Sequence, residues 1–231
     1  MANKNVNANI ATKAPFAVVE AYKNIRIRLL SMLEESGGKV IAFTSPNASE
    51  GKSTTAVNMA INLAQLNKKV ILVDTDIRRA TVHKKLKIDN FTGLSDILAR
   101  EITFDNAVTK YNNFLDVLTS GSITNNPSDL IGSTDFDKLL EQLRQEYDFV
   151  IIDTPPVNVI SDSLSVSQKC DGVIIITRIG VTTYADVRDA VSSLEDLNIN
   201  VLGTIINGAG GAGSSYSKYG KYGSYSKYGY Q

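Results

Sequence analysis

A chain of 231 residues is long enough for one full α/β core with a tail, and its 24 basic residues are balanced by 24 acidic ones. No net field therefore draws it to nucleic acid or to an anionic membrane, and no nucleic-acid partner is expected. One cysteine, Cys170, excludes an internal disulfide or a thiolate metal cluster and fits a reducing cytoplasm, and with no signal peptide or apolar run near the roughly 20 residues of a membrane helix, any work at a membrane needs a second protein.

Residues 1–14, with Asn3, Asn5, Asn7 and Asn9 among small residues, are expected to be disordered. From Pro15 to about Glu35 the apolar positions Val18, Tyr22, Ile25, Leu29 and Met32 follow helical spacing. On the polar side Glu20, Lys23 and Arg26 fall at three-residue steps. They form either a solvated face with one weak ion pair or a contact helix between subunits.

Val40-Ile41-Ala42-Phe43 reads as a buried strand, and Thr54 to Gln65 as a helix. Between them lies Gly51-Lys52-Ser53, the end of a phosphate-binding loop. N–H groups of the loop and helix start would face a bound anion, with Ser49, Glu50, Gly51, Lys52, Ser53 and Thr54 around it. Lys52 would reach the β- and γ-phosphates of ATP, and the Ser53 hydroxyl would sit on Mg²⁺. Gly51 leaves room for the backbone to approach a phosphate. The general pattern puts a glycine five residues before Gly51, where this chain has Pro46.

The next strand, Lys69 to Val73, ends in Asp74 and, two residues later, Asp76. Carboxylates at the C-terminal end of a parallel strand lie on the edge where α/β sheets bind ligands, and suit metal binding and proton transfer. Residues 78–87 gather Arg78, Arg79, Lys84, Lys85 and Lys87 around His83; they read as a solvated face, and the histidine receives no role. Residues 93–109 look helical, 114–118 a strand, and 128–146 one or two helices. Tyr147 to Ile152 is a hydrophobic strand closed by Asp153, a Walker B pattern, and Pro155-Pro156 stops it. Three strands ending in Gly-Lys-Ser, Asp-x-Asp and Asp-Thr-Pro-Pro, in that order, are far more specific than any one.

Gly172 to Thr177 and Val201 to Ile206 read as further strands, with a helix over 183–197 between them. Arg178 and Asn207 follow the two strands and are candidates for contacting the nucleotide base. From Gly208 the composition becomes Gly/Ser-rich and carries Tyr216, Tyr219, Tyr222, Tyr225, Tyr228 and Tyr230, with Lys218, Lys221 and Lys227 and no acid. Such a stretch has no core to build. It is a low-complexity tail, a stacking surface for single strands, or a substrate.

Together these residues resemble the bacterial tyrosine kinases (BY-kinases) of capsule and exopolysaccharide loci, in their cytoplasmic Gram-positive form. The resemblance rests on Ser45 to Thr54, Asp74 to Arg78, Val150 to Pro156 and the tyrosines from Tyr216 to Tyr230. Leu118-Thr119-Ser120-Gly121, Asn126-Pro127-Ser128-Asp129-Leu130 and Glu20, Lys23 and Arg26 add to it. It implies a doubly wound, mostly parallel α/β P-loop sheet, MinD/ParA-like, over 15–207, with a disordered phosphoacceptor tail over 208–231. It implies a protein-tyrosine kinase that uses ATP and Mg²⁺ and phosphorylates its own tail tyrosines. In that reading Lys52 holds the phosphates, Ser53, Asp76 and Asp153 place Mg²⁺, and Asp74 accepts the phenol proton, with Asp74 and Asp76 able to exchange roles. The implied partners are other copies in a ring held by Glu20, Lys23 and Arg26, and a transmembrane polysaccharide co-polymerase that activates the kinase at the inner face of the membrane. A cognate phosphotyrosine phosphatase and further protein substrates complete the set, and the role is control of polysaccharide synthesis and export.

Two departures stand out. The family's Pro-Gly before Glu-Gly-Lys is Ala48-Ser49 here, so a left-handed residue 49 would carry a side chain. Lys23 replaces a family arginine and loses its planar fork. The runner-up is an ATPase switch of the MinD/ParA kind, whose loop would carry a lysine at position 47; this chain has Asn47.

Overall fold

Short runs of β-branched residues build the centre of the molecule. The computed structural model describes residues 16–124 and 126–208. The strands are β1 (Val40–Thr44), β2 (Val70–Asp74), β3 (Thr109–Lys110), β4 (Leu115–Leu118), β5 (Phe149–Asp153), β6 (Gly172–Arg178) and β7 (Val201–Asn207). They form one seven-stranded sheet in the order β3-β4-β2-β5-β1-β6-β7. Every pairing is parallel except that of β3 with β4. Strands β1, β2, β4 and β5 are buried at every position, as a parallel sheet covered on both faces requires.

The covering helices are α1 (Phe16–Ser36), α2 (Lys52–Ala64), α3 (Val82–Leu86), α4 (Leu94–Leu98), α5 (Phe104–Ala107), α6 (Pro127–Gly132), α7 (Thr134–Glu146), α8 (Asp162–Ser167) and α9 (Tyr184–Glu195). Alternation along each strand decides which layer a side chain joins. Ile41 and Phe43 of β1 pack with Leu72 and Ile151 under α2, and Leu29 and Leu33 of α1 close the outside of that layer. Val40, Ile71, Val73 and Ile152 face the other way, onto Phe136, Leu139 and Leu143 of α7. Ala42, Val173 and Ile175 meet Ala190 and Leu194 of α9. Each fully buried Leu, Ile or Phe here contributes about 1.5–3 kcal/mol of transfer free energy.

The expected elements are present, α3 and α8 form where no element was expected, and three further differences concern bounds and length. Helix α2 begins at Lys52, two residues before the expected Thr54, because left-handed Gly51 (φ 99) already caps it. The expected helical stretch 93–109 breaks into α4 and α5, since Arg100 turns left-handed (φ 62) just after α4. Strand β3 is only two residues long, too short for an alternating pattern to reveal. Residues 1–14, and the tail with Tyr216, Tyr219, Tyr222, Tyr225, Tyr228 and Tyr230, lie outside the described residues.

Candidate nucleotide site

Register assembles the site. Phe43 of β1 and Asp74 of β2 both pair with Asp153 of β5, so the phosphate loop and two carboxylates leave the sheet at one level. Asp76 follows two residues after Asp74. Thr75 donates from its N–H and from its hydroxyl to the Asp153 carbonyl, both at 2.9 Å, fixing the turn between the acids.

Lys52 opens α2 and points into this cluster. Its Nζ donates to Asp153 Oδ1 at 2.8 Å, lies 3.3 Å from Ser53 Oγ, and stands 3.9 Å from Asp76. Only 8% of Lys52 is exposed. Burial opposes its charge, but Asp153, then Asp76 and Asp74, outweighs that and holds the pKa above the usual lysine value. Asp74 is fully buried and accepts from the N–H groups of Asp76, Thr81 and Val82 at 3.1–3.2 Å. Burial and the charge of Asp153 push it up to about 8. Asp76 is raised by burial too, against the pull of Lys52.

The loop before Lys52 is built from inside. Ser49 (φ 67) and Gly51 (φ 99) are both left-handed, so the chain curls into a concavity suited to an anion. Ser49 thus carries its side chain in the conformation that glycine adopts freely, at about 1–2 kcal/mol. A Cβ on Gly51 would lie 2.5 Å from Asn207 Nδ2. That amide donates to the Glu50 carbonyl at 3.0 Å and lies 3.2 Å from the Thr55 hydroxyl. Arg178, which pairs with Asn207 in the β6–β7 register, donates to the Ser49 carbonyl at 3.1 Å. Both strand-end residues thus brace the loop backbone, and Arg178 also lines the cavity above it. The Glu50 carboxylate is buried, accepting from the Asn47 N–H at 2.8 Å and from the Thr182 hydroxyl.

A cavity of 670 Å³ opens over these residues, lined by Ser49, Gly51 to Thr54 and Asp76. Arg79, Lys84 and Lys85 line the same cavity; Arg79 and Lys84 stay exposed, as expected of a solvated basic face, and only Lys85 is drawn partly inward. The cause is the short α3: its Lys85 Nζ bonds to Thr54 Oγ1 at 2.7 Å, pulling the helix against the start of α2. Arg78 points elsewhere, to Asp162 at 3.3 Å and Ser128 at 3.0 Å, and ties the Asp76 turn to α6 and α8. Asp162, Thr182 and the cation wall escaped sequence reasoning; a lone acid or threonine in a helix-rich stretch carries no spacing signal. Glu20 and Lys23 pair with each other at 2.7 Å, whereas Arg26 donates to the Asn62 carbonyl at 2.8 Å within the chain.

The donors suit Mg²⁺ and phosphate. Asp153 Oδ2 is buried with no hydrogen-bond partner among the described residues, while Oδ1 accepts from the Lys52 ammonium, which lies 3.3 Å from the Ser53 hydroxyl. An unpartnered carboxylate oxygen is costly unless a cation or its water meets it. Magnesium is commonly held by one or two carboxylates together with substrate phosphates, which this set provides.

A parallel sheet with a phosphate loop, a strand-end acid and a second acidic turn defines a P-loop nucleotide-binding α/β protein. The AAA domain family matches residues 38–198. The chain is 36% identical over 190 residues to tyrosine-protein kinase YwqD of Bacillus subtilis, covering 82% of this chain and 80% of that protein. It is 31% identical to the putative tyrosine-protein kinase EpsB of Ralstonia nicotianae, covering 82% of this chain but only 25% of that longer protein. The kinase domain of Escherichia coli tyrosine kinase ETK superposes with a TM-score of 0.82 at 30% identity, over 86% of this chain and 78% of that one. The MinD protein of Pyrococcus horikoshii, solved with Mg-ADP, shares the fold with a TM-score of 0.64 at 23% identity, over 76% of this chain and 72% of that one. The chain belongs to the bacterial tyrosine kinases.

Proposed function

We propose that the chain transfers the γ-phosphoryl group of ATP to tyrosine hydroxyls, first those of its own tail, and thereby regulates polysaccharide synthesis and export. The observation that carries this reading is Lys52, held at once by Asp153 and Asp76 on the wall of the cavity above a left-handed loop. Bound Mg²⁺ would neutralise charge building on the phosphates, with Ser53, Asp153 and Asp76 as its protein ligands, directly or through water. Lys52 exchanges its carboxylate partners for the β- and γ-phosphates. The loop from Ser49 to Thr54, braced by Arg178 and Asn207, keeps its N–H groups turned to them.

In the transfer the tyrosine Oη forms a bond to the γ-phosphorus, the bond from that phosphorus to the bridging oxygen breaks, and ADP leaves. The phenol proton passes to a carboxylate. Asp76 lines the cavity and would meet Mg²⁺ through water, which leaves a carboxylate oxygen for the phenol proton, whereas Asp74 is sealed beneath it by three backbone N–H groups. We therefore place the proton on Asp76 and give Asp74 the positioning of its turn. A phenol of pKa near 10 needs one such carboxylate.

Ring assembly through Glu20, Lys23 and Arg26, activation by a transmembrane co-polymerase, and a matching phosphatase belong to the same proposal. Among the described residues no helix is long and apolar enough to cross a membrane, in keeping with recruitment by such a partner. A MinD/ParA-type switch is not favoured, since its loop would carry a lysine at position 47 and this chain has Asn47. Incubation with ATP labelled in its γ-phosphoryl group tests the reading: label bound to tyrosine supports it, and label found only as free phosphate contradicts it.

A further inference from the structure

Besides Lys52, the cavity is lined by Arg79, Lys84, Lys85 and Arg178. Arg79 and Lys84 line the cavity without a salt bridge among the described residues, although Asp76 feels the charge of Arg79. Lys84 lies on α3, held in place by its neighbour Lys85 on Thr54. The tail gives this wall a matching ligand: Tyr216, Tyr219, Tyr222, Tyr225 and Tyr228 recur every three residues, with no acid among them. Unphosphorylated, that tail is basic and the wall repels it. Each phosphotyrosine adds about −1.5 to −2 charges and three acceptor oxygens, which reverses the sign. Three extended residues span roughly 10 Å, and Ser53, Asp76, Arg79 and Lys84 all line one cavity.

We propose that Arg79 and Lys84 form a phosphotyrosine-docking subsite beside the transfer site, so that one phosphorylated tail tyrosine seats the next one, three residues away, over Asp76. The inference rests on the kinase reading above. Docked product then becomes a handle for the following transfer, and the tail is phosphorylated in runs rather than at random. Arginine supplies a bidentate fork to the phosphate and lysine a second point charge.

The test uses the full chain and two synthetic peptides covering residues 214–231, one unmodified and one phosphorylated at Tyr222. Transfer to Tyr219 and Tyr225 is read by mass spectrometry. For the wild type kcat/KM on the primed peptide should exceed that on the unmodified one by about tenfold, the size of one charge-assisted contact. Lys84→Ala should bring the ratio to near one, and Lys84→Arg should restore it. Inserting one glycine on each side of the phosphotyrosine should also cancel the advantage. A wild-type ratio of one, or an unchanged ratio in Lys84→Ala, overturns the subsite while the kinase reading stands. A raised KM for ATP in Lys84→Ala with the ratio intact assigns the cation to the nucleotide instead and overturns it equally. Absence of transfer to either peptide and to the tail overturns the kinase reading itself and the subsite with it.

Discussion

Replacing Lys52 by methionine removes the one cation at the centre of three buried acids, and its consequences are calculable. Lys52 Nζ sits 2.8 Å from Asp153 and 3.9 Å from Asp76, with Asp74 behind. Breaking a buried pair by deleting one partner costs about 3–5 kcal/mol, because the other charge stays buried and unpaired. Part of that is recovered when Asp74 and Asp76, already raised in pKa, take up protons. At about 2–4 °C per kcal/mol for a chain of this size, the nucleotide-free variant should melt roughly 10 °C below wild type at pH 8. The deficit should shrink as the pH falls towards 5.5 and the acids neutralise. Differential scanning fluorimetry across that range, with tail phosphotyrosine measured on the same samples, is the assay. The variant should carry no phosphotyrosine while still folded. A melting temperature equal to wild type at pH 8, or normal phosphotyrosine in the folded variant, would refute the placement of Lys52.

Ser49→Gly relieves a left-handed residue (φ 67). Set against glycine's entropy cost, it should gain about 0.5–1 kcal/mol, so a slightly higher melting temperature and unchanged or tighter Mg-ATP binding by calorimetry are expected; a lower melting temperature contradicts this. Asn207→Ala frees the Glu50 carbonyl and the Thr55 hydroxyl, and should raise KM for ATP about tenfold with less effect on kcat; an unchanged KM would show that the brace is idle. Asp74 and Asp76 have folded pKa values above their unfolded ones, so their contribution to stability is complete below about pH 4 and is lost as the pH rises, for Asp74 through about 8. Nucleotide-free protein should therefore melt a few degrees lower at pH 8 than at pH 5, and Asp74→Asn should flatten the slope; a profile that rises over this range contradicts the burial of these acids.

Much of this was readable because strands covered on both faces leave unbroken apolar runs. β1, β2 and β5 each end in polar residues that parallel register then brings together, so Lys52, Asp74, Asp76 and Asp153 were found from their place after the runs. What the chain order conceals is contact between strand ends far apart in sequence. Asn207 was visible as a strand-end amide, but its place against Gly51, 156 positions away, depends on β7 lying two strands from β1. The inward turn of Lys85 rests on its bond to Thr54, which charge patterning alone does not reveal, while Lys84 beside it stays exposed. The length of the helical stretch after residue 93 was overestimated, since left-handed Arg100 gives no compositional warning.

The central claim is that this site moves phosphate from ATP to tail tyrosines, and the intact mass of the chain with and without Mg-ATP tests it most directly. The account predicts phosphoryl additions that map to tyrosines between Tyr216 and Tyr230, and none in Lys52→Met. A chain that releases phosphate from ATP while its own mass stays unchanged would contradict it.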